Sequence, residues 1–140
     1  MIPRTDTFIP AEWDEFFAQF DSQMLSQRAA GLCTHLVRET GLSGDTIQQA
    51  IDLIAKGVID DGVLADVESL VSQCEERNDA LTEVKPGQLP FDHPEVTVAF
   101  RQMVAMHALR SALEQRFSSF AYEAIHTLND EQSVLRYFLD

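Results

Sequence analysis

The chain has 140 residues, 45% of them hydrophobic, and it carries 23 acidic against 10 basic residues, for a formal net charge of −13. This composition excludes a disordered chain and is typical of one ordered domain, residues 1–140, that forms its core without disulfides or metal. The negative field argues against direct binding to nucleic acid or to anionic lipid. Because no apolar run has membrane length and no signal-peptide core is present, we expect a cytoplasmic protein without a membrane partner.

The negative charge is concentrated in the middle of the chain. Residues 39–83 contain eleven acidic residues and only two basic ones, Lys56 and Arg77. The stretch 94–128 is neutral by comparison, with three acidic and three basic residues. Since a concentrated negative field attracts basic molecules, the middle of the chain predicts an acidic surface that meets a basic partner.

Pro10 predicts the start of a first helix, because a proline at the first helical position leaves no N–H group unpaired. Trp13, Phe16, Phe17 and Phe20 follow at helical spacing and form the densest aromatic cluster of the chain. We interpret this cluster as part of the core. The alternative is an exposed anchor for a partner protein, since aromatic residues are enriched at interfaces.

A second helix is predicted over Gln23–Thr40, with Asp21 or Ser22 as its N-terminal cap and Gly41 as its C-terminal glycine. Its apolar residues recur at helical spacing. Gly31 lies inside this helix, where a glycine costs about 1 kcal/mol relative to alanine. We therefore expect either a close crossing with another helix or a small break at Gly31.

Two further helices are predicted on either side of a turn at residues 60–62. The first follows a cap at residues 43–45 and ends near Gly57, and the second extends to about Arg77. Helices connected this closely are expected to pack as an antiparallel hairpin. The turn does not fit a calcium-binding EF-hand, because apolar residues occupy several ligand positions. The order of helix, Asp-Gly turn and helix is similar to one in TerB-like helical domains of tellurite resistance, and no function is carried over from it.

The helical periodicity stops over residues 78–93, which we predict to be an ordered loop. It resumes from Pro94 to Leu128, where apolar residues recur every three or four positions without a Gly or a second Pro. We predict that this stretch is the central helix of the fold. Because a straight helix of this length is longer than a compact domain of this size, the helix must bend, most readily near Ser118 and Ser119, or project beyond the domain.

A terminal helix is predicted after a cap at residues 129–130, with Val134, Leu135, Phe138 and Leu139 as its apolar face. No internal repeat and no low-complexity segment interrupts the pattern. Together these elements predict an all-α protein. We expect an irregular bundle of five or six helices around the long helix at Pro94–Leu128.

Catalytic and metal sites need several suitable side chains together, and the sequence provides few. Glu123 and His126 form one E-x-x-H step, whereas a di-iron bundle needs two such steps and two more glutamates. His35 and His107 are interpreted as helix-surface or buried structural residues. The two cysteines lack zinc-type spacing and are interpreted as reduced core thiols, with a single disulfide as the alternative. Because no nucleophile or phosphate-loop motif is present, we expect no enzymatic activity, no cofactor and no metal site.

These features predict a non-enzymatic protein-binding module, an inhibitor, immunity protein or antagonist that docks a basic, nucleic-acid-binding protein. Such a module acts as a nucleic-acid mimic, because its carboxylates lie where phosphates lie in the basic groove of the partner. The residues expected to bind the partner are Asp60, Asp61, Asp66, Glu68, Glu75, Glu76 and Asp79.

Two alternatives belong to other functional classes. One is a homodimer or a subunit of a larger assembly, which exposure of Phe100, Phe117, Phe120 or the cluster around Trp13 favours. The other is a helical enzyme that uses a small molecule or a metal. Convergence in one pocket of the three histidines and the glutamate named above favours this second alternative.

Overall fold

The computed structural model describes residues 2–4, 7–82 and 94–139, which form a bundle of seven α-helices. These are α1 (Pro10–Phe17), α2 (Ser22–Thr40), α3 (Asp45–Lys56), α4 (Asp61–Thr82), α5 (Pro94–Leu113), α6 (Phe117–Leu128) and α7 (Glu131–Leu139). The predicted all-α bundle is confirmed, with more helices than expected and no strand in the described ranges.

α5 lies at the centre of the bundle and contacts α2, α3, α4 and α6. Small and medium apolar residues are buried around it, among them Ala105, Met106, Ala108, Leu109, Ala112 and Leu113. α4 packs against α5 and α3, whereas α7 packs against α2 and α6. The helices α4 and α7 therefore lie at different edges of the bundle.

The aromatic cluster of α1 is part of the core, as predicted. Trp13 is fully buried, and Phe16 and Phe17 are nearly so. The Phe17 ring meets the ring of Phe138 in α7 with 4.9 Å between centroids. Edge-to-face contacts of this kind stabilise a core beyond the burial of apolar area. The cluster therefore joins the two ends of the chain and does not form an exposed anchor.

The prediction of one continuous helix over 94–128 is wrong, because the chain reverses between α5 and α6. Gln115 takes a left-handed conformation with φ of 62°, and the Arg116 N–H donates back to the Ser111 carbonyl at 2.8 Å. This is the hydrogen-bonded reversal that commonly ends a helix, here without a glycine. α6 then packs along α5, where Arg101 Nε donates to the Thr127 carbonyl at 3.0 Å. The break lies before Ser118, not at the predicted position, and it keeps the fold compact.

Two other expectations also differ from the structure. α2 is continuous through Gly31, which is exposed, and a Cβ added there would meet no heavy atom within 4 Å. Gly31 therefore marks neither a close crossing nor a break. α4 continues beyond Arg77 to Thr82, so residues 78–82 are helical and do not belong to a loop. The remainder of that predicted loop, residues 83–93, lies outside the described residues.

Helix ends that depend on local signals lie where the sequence predicts them. Gly41 and Gly57 follow α2 and α3 with φ of 75° and 68°, a conformation that strains residues with a Cβ. Asp130 precedes α7, and its Oδ1 accepts a hydrogen bond from the Gln132 N–H at 3.0 Å. This carboxylate satisfies an N–H group that the helix itself leaves unpaired.

Candidate functional site

Five of the seven acidic residues predicted to bind a partner lie together on α4. With about 100° of rotation per residue, Asp61, Glu68, Glu75 and Asp79 project from the same side of the helix, and Glu76 lies beside them. We refer to these five as the acidic stripe. The inner side of α4 is formed by the buried residues Val67, Val71 and Cys74. Since the stripe lies away from these residues, the core of the bundle does not cover it.

The other two predicted residues lie apart from the acidic stripe. Asp60 precedes α4, and its Oδ1 accepts a hydrogen bond from the Val63 N–H at 2.9 Å. Asp60 is therefore a helix cap, and a structural role accounts for its presence. Asp66 is exposed but projects from another side of α4, about 80° from Glu76 and further from the rest. Asp60 and Asp66 are therefore not part of the acidic stripe.

The single basic residue of α4, Arg77, points away from the acidic stripe. Its guanidinium donates to the Gln102 side chain on α5, and Gln102 Nε2 donates in turn to the Thr40 carbonyl at 2.8 Å. The cation is therefore used to connect α4 with α5 and the end of α2. α4 itself supplies no other basic residue to the acidic stripe.

An apolar pair missed by the sequence analysis lies next to the first turn of α4. Val58 and Ile59 are 47% and 53% exposed and immediately precede Asp60. Exposed apolar side chains beside charged ones are typical of binding surfaces, where the apolar part supplies contact area. The sequence did contain a signal for this pair, because Val58 and Ile59 are two successive β-branched residues in the linker between α3 and α4. The candidate site is therefore the acidic stripe together with Val58 and Ile59.

Glu75 forms the inner boundary of the acidic stripe and is half-buried. Its Oε1 lies 2.9 Å from Nε2 of His107 on α5, and His107 Nδ1 lies 3.0 Å from an Arg110 guanidinium nitrogen. Because a guanidinium can only donate, Nδ1 must accept, and the ring hydrogen is on Nε2, which donates to Glu75. Both ring nitrogens of His107 are therefore engaged by neighbouring side chains. Glu75 is therefore engaged with α5, whereas Asp61, Glu68 and Glu76 are exposed on α4.

The convergence required by the enzyme alternative is incomplete. Burial raises the pKa of the Glu123 carboxyl on α6, and the side chains of His107, His126 and Arg110 partly offset this. His35 is elsewhere, on α2, with its ring 5.5 Å from that of Tyr137. In the part of the chain that the structure describes, no group of three possible ligands could hold a metal ion. Glu123, His107 and His126 therefore lie near enough to affect one another electrostatically, while His35 does not join them.

The two cysteines are unpaired and buried. Burial raises the pKa of both the Cys33 and the Cys74 thiols, so neither forms the thiolate that acts as a nucleophile at neutral pH. The interpretation as reduced core thiols is confirmed for both. Of the aromatic residues named for the homodimer alternative, Trp13 and Phe120 are fully buried, whereas Phe100 and Phe117 are partly exposed.

None of the helices in the described ranges has both the length and the apolar content that crossing a membrane requires. In comparisons with protein-family models, curated proteins and solved structures, nothing matches this chain.

Proposed function

We propose that this protein is a non-enzymatic binding module whose acidic stripe docks a basic partner protein. The observation that carries the proposal is the concentration of carboxylates on one side of α4, of which Asp61, Glu68 and Glu76 are exposed. The stripe's carboxylates share one side of a helix at the edge of the bundle, while Arg77 is directed to Gln102 on the neighbouring helix. The partner class is a nucleic-acid-binding protein, because carboxylates on a rigid helix can take the place of phosphates in a basic groove.

Charge and apolar contact have separate roles in this mechanism. The concentrated negative field accelerates the encounter with a basic partner and makes the association rate dependent on salt. Val58 and Ile59, exposed beside the stripe, supply the apolar contact that slows dissociation once the two proteins meet. An inhibitor or antagonist of this kind needs no chemistry of its own, because occupation of the groove is sufficient to block it.

The first step of the test identifies a partner. The purified protein is used to capture proteins from lysate at low and at high salt, and captured proteins are identified by mass spectrometry. The proposal expects a basic protein that is retained at low salt and released at high salt. Association and dissociation rates with that protein are then measured for the variants described next.

The decisive variant replaces Asp61, Glu68 and Glu76 with lysine. Its control replaces Glu15, Glu39 and Asp66 with lysine, three exposed acids outside the stripe, so that both variants change the net charge equally. The stripe variant is expected to associate at least about tenfold more slowly at low salt and to lose most of the salt dependence. The control variant is expected to keep the wild-type association rate and its dependence on salt. Equal effects in the two variants would show that net charge alone is responsible and would overturn the proposed site.

A further inference from the structure

An open groove of about 370 Å³ lies between α2 and α7, away from the acidic stripe. It is lined by Gln27, Arg28, Gly31, Arg136 and Tyr137. We propose that this groove binds a small organic anion, a carboxylate or phosphate group carried on an apolar ring. The groove volume is within the range of small-molecule sites in proteins. Anion binding in this groove does not depend on the proposed partner-binding role of α4.

The charges around the groove oppose the charge of the chain as a whole. Two of its five lining residues are arginines and none is acidic, although the chain has 23 acidic residues. The ion pairs seen among the described residues join Arg4 to Glu12, His107 to Glu75 and Arg110 to Glu114. Arg136 also acts on Asp130, whose pKa is lowered first by hydrogen bonds from Ser133 and further by the charge of Arg136. Two guanidinium groups that line one groove form a local site for an anion, which they can bind through paired hydrogen bonds.

Gly31 forms part of the groove floor, and the fold gives no other reason for a glycine there. It lies in the interior of a 19-residue helix, where glycine is less favourable than any residue except proline. No neighbouring atom excludes a Cβ, since none lies within 4 Å of the position where it would be. The missing side chain instead leaves the backbone of α2 open toward the groove. A ligand can therefore lie directly against the helix between the two arginines.

Tyr137 supplies the apolar wall of the groove. It is half-buried on α7, and its ring lies 5.5 Å from the His35 ring on α2, which restricts its orientation. Aromatic rings held in this way bind flat apolar groups by stacking. The groove thus combines cationic groups with one aromatic face, and this combination selects an anion that carries a ring over a bare inorganic ion.

The test is a titration of the full chain, labelled with ¹⁵N, with phenyl phosphate and separately with benzoate. At least one of the two is expected to shift the amide signals of residues 27–31 and 136–137 in a saturable way, and the stronger of them identifies the anionic group. Inorganic phosphate and phenol, which each contain half of the proposed ligand, are expected to bind at least about tenfold more weakly. An equal response to inorganic phosphate would overturn the role of the ring.

Three variants separate a binding site from a structural feature. Replacing both Arg28 and Arg136 with glutamine is expected to weaken binding at least about tenfold, whereas the same change at Arg4 and Arg38 leaves it unchanged. Gly31→Ala is expected to raise the melting temperature and also to weaken binding, because the added methyl group enters the groove. Circular dichroism verifies that each variant is folded. Absence of saturable shifts with both probes, or equal binding by wild type and the double arginine variant, would overturn the proposal.

Discussion

α4 and α5 are neighbouring helices of 22 and 20 residues that meet along one side. Ten residues of α5 are buried. The buried apolar residues of α4 are Val67, Val71 and Cys74. The difference follows from position, because α5 contacts four helices, whereas α4 packs mainly against α5 and α3 among the described helices. A helix at the edge keeps most of its circumference in water, so it can carry many like charges without desolvation. A central helix cannot do so, because each buried charge would need a partner.

The largest effect expected from this difference is on stability. Replacing Leu109, which is 1% exposed in α5, with alanine should reduce the free energy of unfolding by about 2–5 kcal/mol, because it leaves a cavity. The matched change in α4 is Leu81→Ala, at a residue 37% exposed, and it should alter stability by no more than about 0.5 kcal/mol. Urea unfolding curves measure both. Similar losses for the two variants would show that α4 is packed as completely as α5.

A smaller effect is expected where the two helices share a polar contact. Glu75→Ala removes the carboxylate that accepts from His107 at 2.9 Å and should lower stability by about 0.5–1.5 kcal/mol. Glu76→Ala is the control, because this adjacent carboxylate is exposed on α4 and should change stability little. Both variants lose one negative charge from neighbouring positions. The measurement is the melting temperature of each variant at neutral pH. Equal decreases for Glu75→Ala and Glu76→Ala would indicate that the contact with His107 does not contribute to stability.

The smallest expected effect is a pH dependence of stability that arises from the Glu123 carboxyl on α6. Burial raises the pKa of Glu123, although His107, His126 and Arg110 partly offset it, so the folded state binds this proton more tightly than the unfolded state. The contribution of Glu123 to stability is therefore fully present below its ordinary pKa of 4.5 and is lost as pH rises through its folded-state pKa. Glu123→Gln, which stays neutral, should be more stable than wild type at pH 7, with the difference diminishing toward pH 4.

Asp130 is the control of opposite sign for the same pH series. Hydrogen bonds from the Ser133 side chain and backbone lower the pKa of Asp130, so its contribution is present above the ordinary value of 3.8 and lost as pH falls. Asp130→Asn should therefore be less stable than wild type at pH 7, with the two converging at acidic pH. Melting temperatures measured from about pH 3 to about pH 8 span the ordinary pKa values of both carboxyls. They test whether the two contributions to stability change with pH in opposite directions. Parallel pH curves for Glu123→Gln and wild type would contradict the role assigned to burial.

The acidic stripe was largely predictable from the sequence, but its limits were not. The concentration of acidic residues in 60–79 and the helical spacing place Asp61, Glu68 and Asp79 on one side. Sequence alone did not distinguish these from Asp60, which caps the helix through the Val63 N–H. It also did not show that Glu75 meets His107, because that contact joins two helices that are distant in the chain.

The sequence by itself determined the features that depend on near neighbours in the chain. The helical class, the glycine ends at Gly41 and Gly57 and the position of the acidic residues follow from periodicity and backbone preference, which act within a few residues. Only the tertiary structure decided where the long apolar stretch reverses. Gln115 lacks the freedom of glycine, but its side chain donates to the Gly57 carbonyl at 2.9 Å, and this contact requires both segments to be folded. The groove with Arg28 and Arg136 is of the same kind, because the contact of α7 with α2 brings these residues together.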